Sequence, residues 1–283
     1  MLEEKLVPGD GAVGETTVLD QRFLATPSVA LARCHDAVIQ MGKYAQSNYR
    51  LAVELHHKYD AKKLERLTET ETALDKMQDA LDNYLVKLTT RALSPQENAS
   101  VSELLHALGD FERIGDYSVN VAECATALHE KGQVFSPIAA RELDSLTAAV
   151  DEALEKALGC YTERSYAEAL LVEPIEEVVD LMREDLRSRH IERLKAGACT
   201  VELGSRFLEL LITLERISDH CSNIAIQILH ETAPTNSLVH VDTHAYTHEL
   251  HHGHDAQFEE LYSAAKAKYY DPVMTEDVLG TEE

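Results

Sequence analysis

Apolar residues recur at three- and four-residue steps along most of this 283-residue chain, the period that lays one stripe along a helix. Leu64, Leu67, Leu74, Met77, Leu81, Leu85 and Leu88 are the clearest run. The breaks in the pattern fall at residues that start and stop helices. Thr26-Pro27, Ser94-Pro95 and Ser136-Pro137 each set a capping side chain before a proline at the first helical position, and Glu97 completes a capping box with Ser94. Asp60, Ser165 and Thr200 are further caps, and Gly132 and Gly197 are stops. Pro174 predicts a kink or a later start in the helix after Ser165. The chain therefore reads as all-α: a linker over 1–27, a three-helix bundle over 28–132, a second over 136–232, a His-rich C-terminal helix over 240–270 and an acidic tail over 271–283.

Composition narrows the partners. With 12 Gly, 7 Pro and no Trp the helical reading stands, and the formal net charge of -24 leaves no basic surplus for nucleic acid or an anionic membrane surface. Free phosphate would be repelled as well, unless a metal inverted the local field. Cys34, Cys124, Cys160, Cys199 and Cys221 form no CxxC pair and read as reduced thiols of a cytoplasmic protein. No stretch approaches the roughly 18 apolar residues of a membrane span, and Met1-Leu-Glu-Glu is not a signal peptide; direct membrane insertion of this chain is not expected.

The chemistry lies in a repeat. Glu-Arg-Ile-Gly-Asp at Glu112 to Asp116 returns as Glu-Arg-Ile-Ser-Asp at Glu215 to Asp219, each followed four residues on by an asparagine, Asn120 and Asn223. Two more Glu-x-x-x-Asp pairs lie upstream, Glu71/Asp75 and Glu176/Asp180. Residues four apart share one helix face, and a like-charged pair there destabilises a bare helix by a few tenths of a kcal/mol. In an antiparallel hairpin, facing residues share a midpoint. Glu71 with Asp116 and Asp75 with Glu112 share one at the Ser94-Pro95 turn, while Glu176 with Asp219 and Asp180 with Glu215 share one at Gly197. Four carboxylates should thus meet in each bundle, and they cannot all stay ionised without a compensating cation. Oxygen-only donors suit hard cations, iron or manganese. The alternative is that Arg113 and Arg216, inside the motifs, neutralise the acids. Asn120 and Asn223 either support the acids or bond a backbone carbonyl.

Leu108-Gly-Asp-Phe-Glu-Arg-Ile-Gly-Asp116 with Asn120-Val-Ala-Glu123, repeated as Leu214-Glu-Arg-Ile-Ser-Asp219 with Asn223-Ile-Ala225, resembles the PhoU family of phosphate-uptake regulators. The resemblance covers about residues 28–232. It implies tandem three-helix bundles and metal ions, iron foremost with zinc, manganese, magnesium or nickel also compatible, held by Glu71, Asp75, Glu112 and Asp116 and by Glu176, Asp180, Glu215 and Asp219. Leu2 to Pro8 and Leu19 to Ala30 further resemble the segment that joins the membrane domain of bacterial sodium–phosphate cotransporters to a PhoU-like cytosolic tail, and Arg189 to Arg193 with the terminal helix resemble that tail. That resemblance implies a regulatory domain whose partners are a transporter's membrane domain and inorganic phosphate, with no catalysis of its own and with homo-oligomers left open. The alternative is a stand-alone regulator docking on a sensor kinase and an ABC phosphate transporter.

Other chemistry is weaker. His248, Glu249 and His252 fit HExxH, the zinc-protease pattern, but sit in a segment where histidine is so frequent that the match has little weight. His240, His244, His248 and His252 would form one stripe if helical, either a zinc or nickel site or an exposed polar face. Glu54/His57 and Glu103/His106 satisfy the Glu-x-x-His pattern of a di-iron carboxylate enzyme, yet at levels that disagree with the acidic motifs.

Overall fold

The computed structural model describes residues 19–232, 256–275 and 277–278. Six long helices dominate: α1 (Pro27–His57), α2 (Ala61–Thr89), α3 (Pro95–Glu130), α4 (Pro137–Glu163), α6 (Val172–Lys195) and α7 (Val201–Thr232), with a one-turn α5 (Tyr166–Ala169) between α4 and α6. No β-strand occurs among the described residues. Helices α1, α2 and α3 pack on one another as one bundle, and α4, α6 and α7 as a second.

The starts follow the caps. Ser94 Oγ accepts from the Glu97 amide while Glu97 returns to the Ser94 amide, so the box closes both ways. Asp60 and Ser136 cap α2 and α4 in the same manner, without the return bond. Gly132 and Gly197 take φ of +59 and +71 just past α3 and α6, where a side chain would be strained. Pro174 produces the later start rather than a kink: Ser165 caps only α5, the chain turns at Leu170-Leu171, and α6 begins two residues before the proline.

Two segments depart from expectation. Within the predicted linker, Gln21–Ala25 forms a 3-10 turn capped by Asp20; Leu24 is buried, and Tyr84 Oη donates to the Asp20 carbonyl at 3.0 Å. Leu24, with Leu19 and Phe23 packed beside it, holds this stretch against α1 and α2. The predicted helix over 240–270 lies in part outside the described residues. Its described part is α8 (Ala256–Ala265), a π turn over Lys266–Tyr270 and α9 (Asp271–Met274), so helix continues into the predicted tail. Phe258, Ala265, Tyr269 and Val273 are buried, Tyr270 Oη meets Asp185 at 2.5 Å, and Ser145 Oγ donates to the Tyr269 carbonyl at 2.6 Å. The apolar side of Val273 explains why the acidic composition did not leave this turn in solvent.

The bundles join through α3 on α7 and α1 on α4. Tyr49 Oη donates to the Thr147 carbonyl at 2.7 Å, and Arg50 pairs with Asp151 and Glu155 at 2.7 and 3.0 Å. Arg164, whose φ of +50 ends α4, reaches both Glu103 on α3 and Glu231 on α7. At the centre of this junction Gly42 leaves room for two bundles to touch: a Cβ there would stand 2.6 Å from Leu158 and 2.9 Å from the Phe111 ring. Gly42→Val should therefore cost about 1–3 kcal/mol in denaturant unfolding, as overpacking does. Gly109→Ala, with nothing within 4 Å of the added carbon, should instead gain about 0.5–1 kcal/mol from helix propensity.

Candidate metal centre

The upstream motif of each unit lies on the second long helix of its bundle and the downstream motif on the third. Seven-residue spacing of Leu67, Leu74, Leu81 and Leu88, all buried, turns one face of α2 inward and leaves Glu71 and Asp75 at its border with α3. Gly115 lets the helices close: a Cβ there would stand 2.9 Å from Leu74 and 3.3 Å from Glu71 Oε2.

Glu71, Asp75 and Asp116 offer oxygens that all lie within 4.8 Å of one another, and Glu176, Asp180 and Asp219 do the same in the second unit. The fourth predicted member of each set stands aside. Glu112 is drawn to Arg113 at 3.7 Å, and Glu215 to Arg183 at 3.6 Å and Arg216 at 3.7 Å. Arg113 and Arg216 are 58% and 53% exposed and reach Asp116 and Asp219 at 3.5 and 3.2 Å along their own helices. They screen the outer edge of each cluster. Glu71 Oε2 stays buried with no hydrogen-bond partner, which salt bridges on α3 do not relieve.

Electrostatics agree with crowded acids. Burial, then Asp75 and Asp116, push the Glu71 carboxyl up to about 8. Burial, then Glu173, Asp180 and Asp219, push Glu176 up to about 10. Glu112, Glu215 and Asp219 are raised too, by burial first and neighbouring carboxylates second. Oxygens bound to one cation at about 2.0–2.6 Å stand at most about 4–5 Å apart, so each trio has the span and donor type of a hard-cation site.

Several groups were not legible as site neighbours in the sequence. Asp110 Oδ1 accepts from His220 at 2.8 Å and from Asn223 at 3.4 Å, tying α3 to α7 one residue past Asp219. Asn223 thus bonds the other bundle instead of a backbone carbonyl. Buried Glu142 binds Arg193 at 2.6 Å and Arg189 at 2.7 Å, and Glu173 lies buried beside Glu176. The di-iron candidates are engaged elsewhere: Glu54 with Lys63 at 2.7 Å, His57 with Asp144 at 3.7 Å and Glu103 with Arg164, while His106 lines a groove between α3 and α7. His240, His244, His248, Glu249 and His252 lie outside the described residues.

Comparison with known proteins now decides the family. The family model described as PhoU domain matches residues 38–125 and again 143–228, one match per bundle. The chain belongs to the PhoU family. Among curated PhoU relatives, the phosphate-specific transport system accessory protein PhoU homolog of Xylella fastidiosa is 25% identical over 199 residues, covering 70% of this chain and 83% of the relative. The accessory protein PhoU of Escherichia coli is 23% identical over 188 residues, covering 66% and 77%. The crystal structure of PhoU from Pseudomonas aeruginosa superposes with a TM-score of 0.66 at 22% identity, covering 71% of this chain and 95% of that one. The PhoU fold with tandem bundles is common to both.

The raised carboxyls have a pH signature. Unfolded, Glu71 ionises near 4.5, whereas folded it keeps its proton to about 8. Between those values the folded state binds the extra proton, so metal-free protein loses stability as pH rises through this window. Glu71→Gln should flatten that decline in thermal unfolding with chelator between about pH 5 and about pH 8; an unchanged slope would refute the clustered-acid reading.

Proposed function

We propose that this protein is a PhoU-type regulator of phosphate transport whose two carboxylate clusters each bind divalent or ferric cations. The observation that supports it is the same trio on the same two helices in each bundle, with a buried, unpaired Glu71 oxygen in one of them. A cation supplies what that oxygen lacks and offsets the burial and the like-charge repulsion that push the Glu71 and Glu176 carboxyls up. Iron and manganese, with magnesium, zinc or nickel as alternatives, suit the donor set to different degrees. Inorganic phosphate, otherwise repelled by the charge of -24, is attracted once the metals are in place. Occupancy then alters how the bundles dock on a transport protein. The protein has no catalytic activity of its own in this reading.

The accessory-protein reading is preferred to the cotransporter-tail reading. The named relatives are accessory proteins of phosphate-specific transport systems, and they match the two bundles. The resemblance to a cotransporter's joining segment rests on residues 2–8, outside the described residues, and on 19–30. No helix among the described residues is long and apolar enough to cross a membrane, so a membrane partner would be a separate surface or chain region. We place its action at the cytosolic face.

Metal analysis of protein purified without an affinity tag is the direct test. Asp116→Ala and Asp219→Ala should each remove about half of the bound metal, since each deletes one ligand of one centre. The double variant should lose nearly all of it and uncouple a phosphate-responsive reporter from external phosphate. Full metal content in the double variant would rule the clusters out.

A further inference from the structure

At one end of the bundle junction, two glutamates from different bundles share one arginine nitrogen. Arg164 Nη1 donates to Glu103 Oε1, and Nη2 donates to Glu103 Oε2 at 3.1 Å, a two-bond fork. The same Nη2 donates to Glu231 Oε2. Glu103 lies on α3 of the first bundle, while Arg164 closes α4 and Glu231 sits in the last turn of α7, both of the second. The two carboxyls also stand within hydrogen-bond reach of each other. The backbone adds a second observation. Among the described residues Arg164 is the one non-glycine with positive φ, +50, a conformation that helix ends ordinarily give to glycine or asparagine. Such strain persists where surrounding contacts fix it, and here those contacts are the bonds to Glu103 and Glu231.

Charge does not balance at this point. With every group ionised, two carboxylates face one guanidinium and one negative charge is in excess. The neighbours on each packed helix leave that excess in place. His35 on α1 is held below its ordinary value by burial first and Arg164 second, so at neutral pH it adds no charge. Tyr161 on α4 feels all three groups, yet its buried hydroxyl donates to none of them. Glu168 on α5 is taken by Lys156 at 3.3 Å, and α6 meets α7 nearer the motifs, where Glu173 bonds Ser222. His106, Arg113 and His230 line the adjoining groove, with Arg113 engaged by Glu112 and Asp116. One proton removes the excess, because a carboxyl O–H can donate to the neighbouring carboxylate while Arg164 holds both. Burial first and Glu103 second, against Arg164, push the Glu231 carboxyl up to about 8.

We propose that Glu103, Arg164 and Glu231 form a proton-operated latch across the bundle junction: a proton on the carboxyl pair clamps the last turn of α7 to α3, and its loss releases that turn. Glu103 is kept by its two-bond fork, whereas Glu231 has a single bond to Arg164 and is the group that leaves. The proton passes to solvent, which reaches Glu231 because its side chain is 22% exposed. The closed latch keeps the proton to about 8, whereas a freed glutamate ionises near 4.5. Clamping is therefore strongest at lower pH and fades as pH rises through about 8. Neither carboxyl belongs to a repeated motif, so the latch is independent of the metal-binding reading.

The test is amide hydrogen exchange on the full chain in chelator, read for residues 228–232 as protection relative to intrinsic exchange at each pH. Opening frees Glu231, so protection should fall about tenfold between about pH 7 and about pH 9. Glu231→Gln, whose amide donates to Glu103 at any pH, should abolish that fall. Glu103→Gln, which leaves Arg164 a single carboxylate, should abolish it too. Glu71→Gln should leave the fall in place, which separates the latch from the carboxylate clusters. A fall that persists in both Glu231→Gln and Glu103→Gln would overturn the proposal. Level protection in the parent across this range, the result for a plain ion pair, would overturn it as well.

Discussion

Leu67, Leu74, Leu81 and Leu88 sit one heptad apart on α2 and are each at most 1% exposed. A fully buried leucine is worth about 1.5–3 kcal/mol, so four of them outweigh the few tenths of a kcal/mol that a like-charged pair costs on a helix surface. That imbalance fixes the rotation of α2 and its register on α3. Glu71 and Asp75 cannot turn away from Asp116 without pulling leucines into water. The acids are thus held together by the core, and their burial, with repulsion second, appears as a raised Glu71 carboxyl instead of as movement.

The second bundle obeys the same constraint with more polar side chains at the interface. Val178, Val179, Met182 and Leu186 supply the buried face of α6, while Glu173 and Ser222 place a hydrogen bond where the first unit has Thr68 and Val119. Burying such a pair is tolerable because each group satisfies the other. The repeated motif therefore conserves a geometry across both units, and the residues around it set how deep each cluster lies.

Between the bundles the dominant theme is pairing across α3 and α7. Asp110 meets His220 and Asn223 near the motifs, and Arg164 bridges Glu103 and Glu231 farther along. Both links connect the carboxylate-bearing helices of different units, so a change in charge at one cluster has a short physical route to the interface. The C-terminal helices α8 and α9 add a further layer on the second bundle, whereas among the described residues the 3-10 turn with Leu24 covers part of the first.

The sequence by itself determined the helices and the repeat, because caps, prolines and apolar period act locally: Ser94, Glu97 and Pro95 start α3 whatever surrounds them. It also determined which helices would face, since hairpin midpoints follow from counting residues. Only the tertiary structure decided which carboxylates meet. Glu112 and Glu215 belong to the motifs yet are drawn off by arginines, and Arg183 comes from another helix whose rotation no local rule gives. Glu173 was hidden in the same way. The hydroxyl that bonds it, Ser222, lies 49 residues away on α7. Val273 and Leu24 were likewise invisible, because each needs a surface supplied by distant helices. Local backbone preferences are written in neighbouring residues, whereas the partner of a charge is chosen by packing over the whole chain.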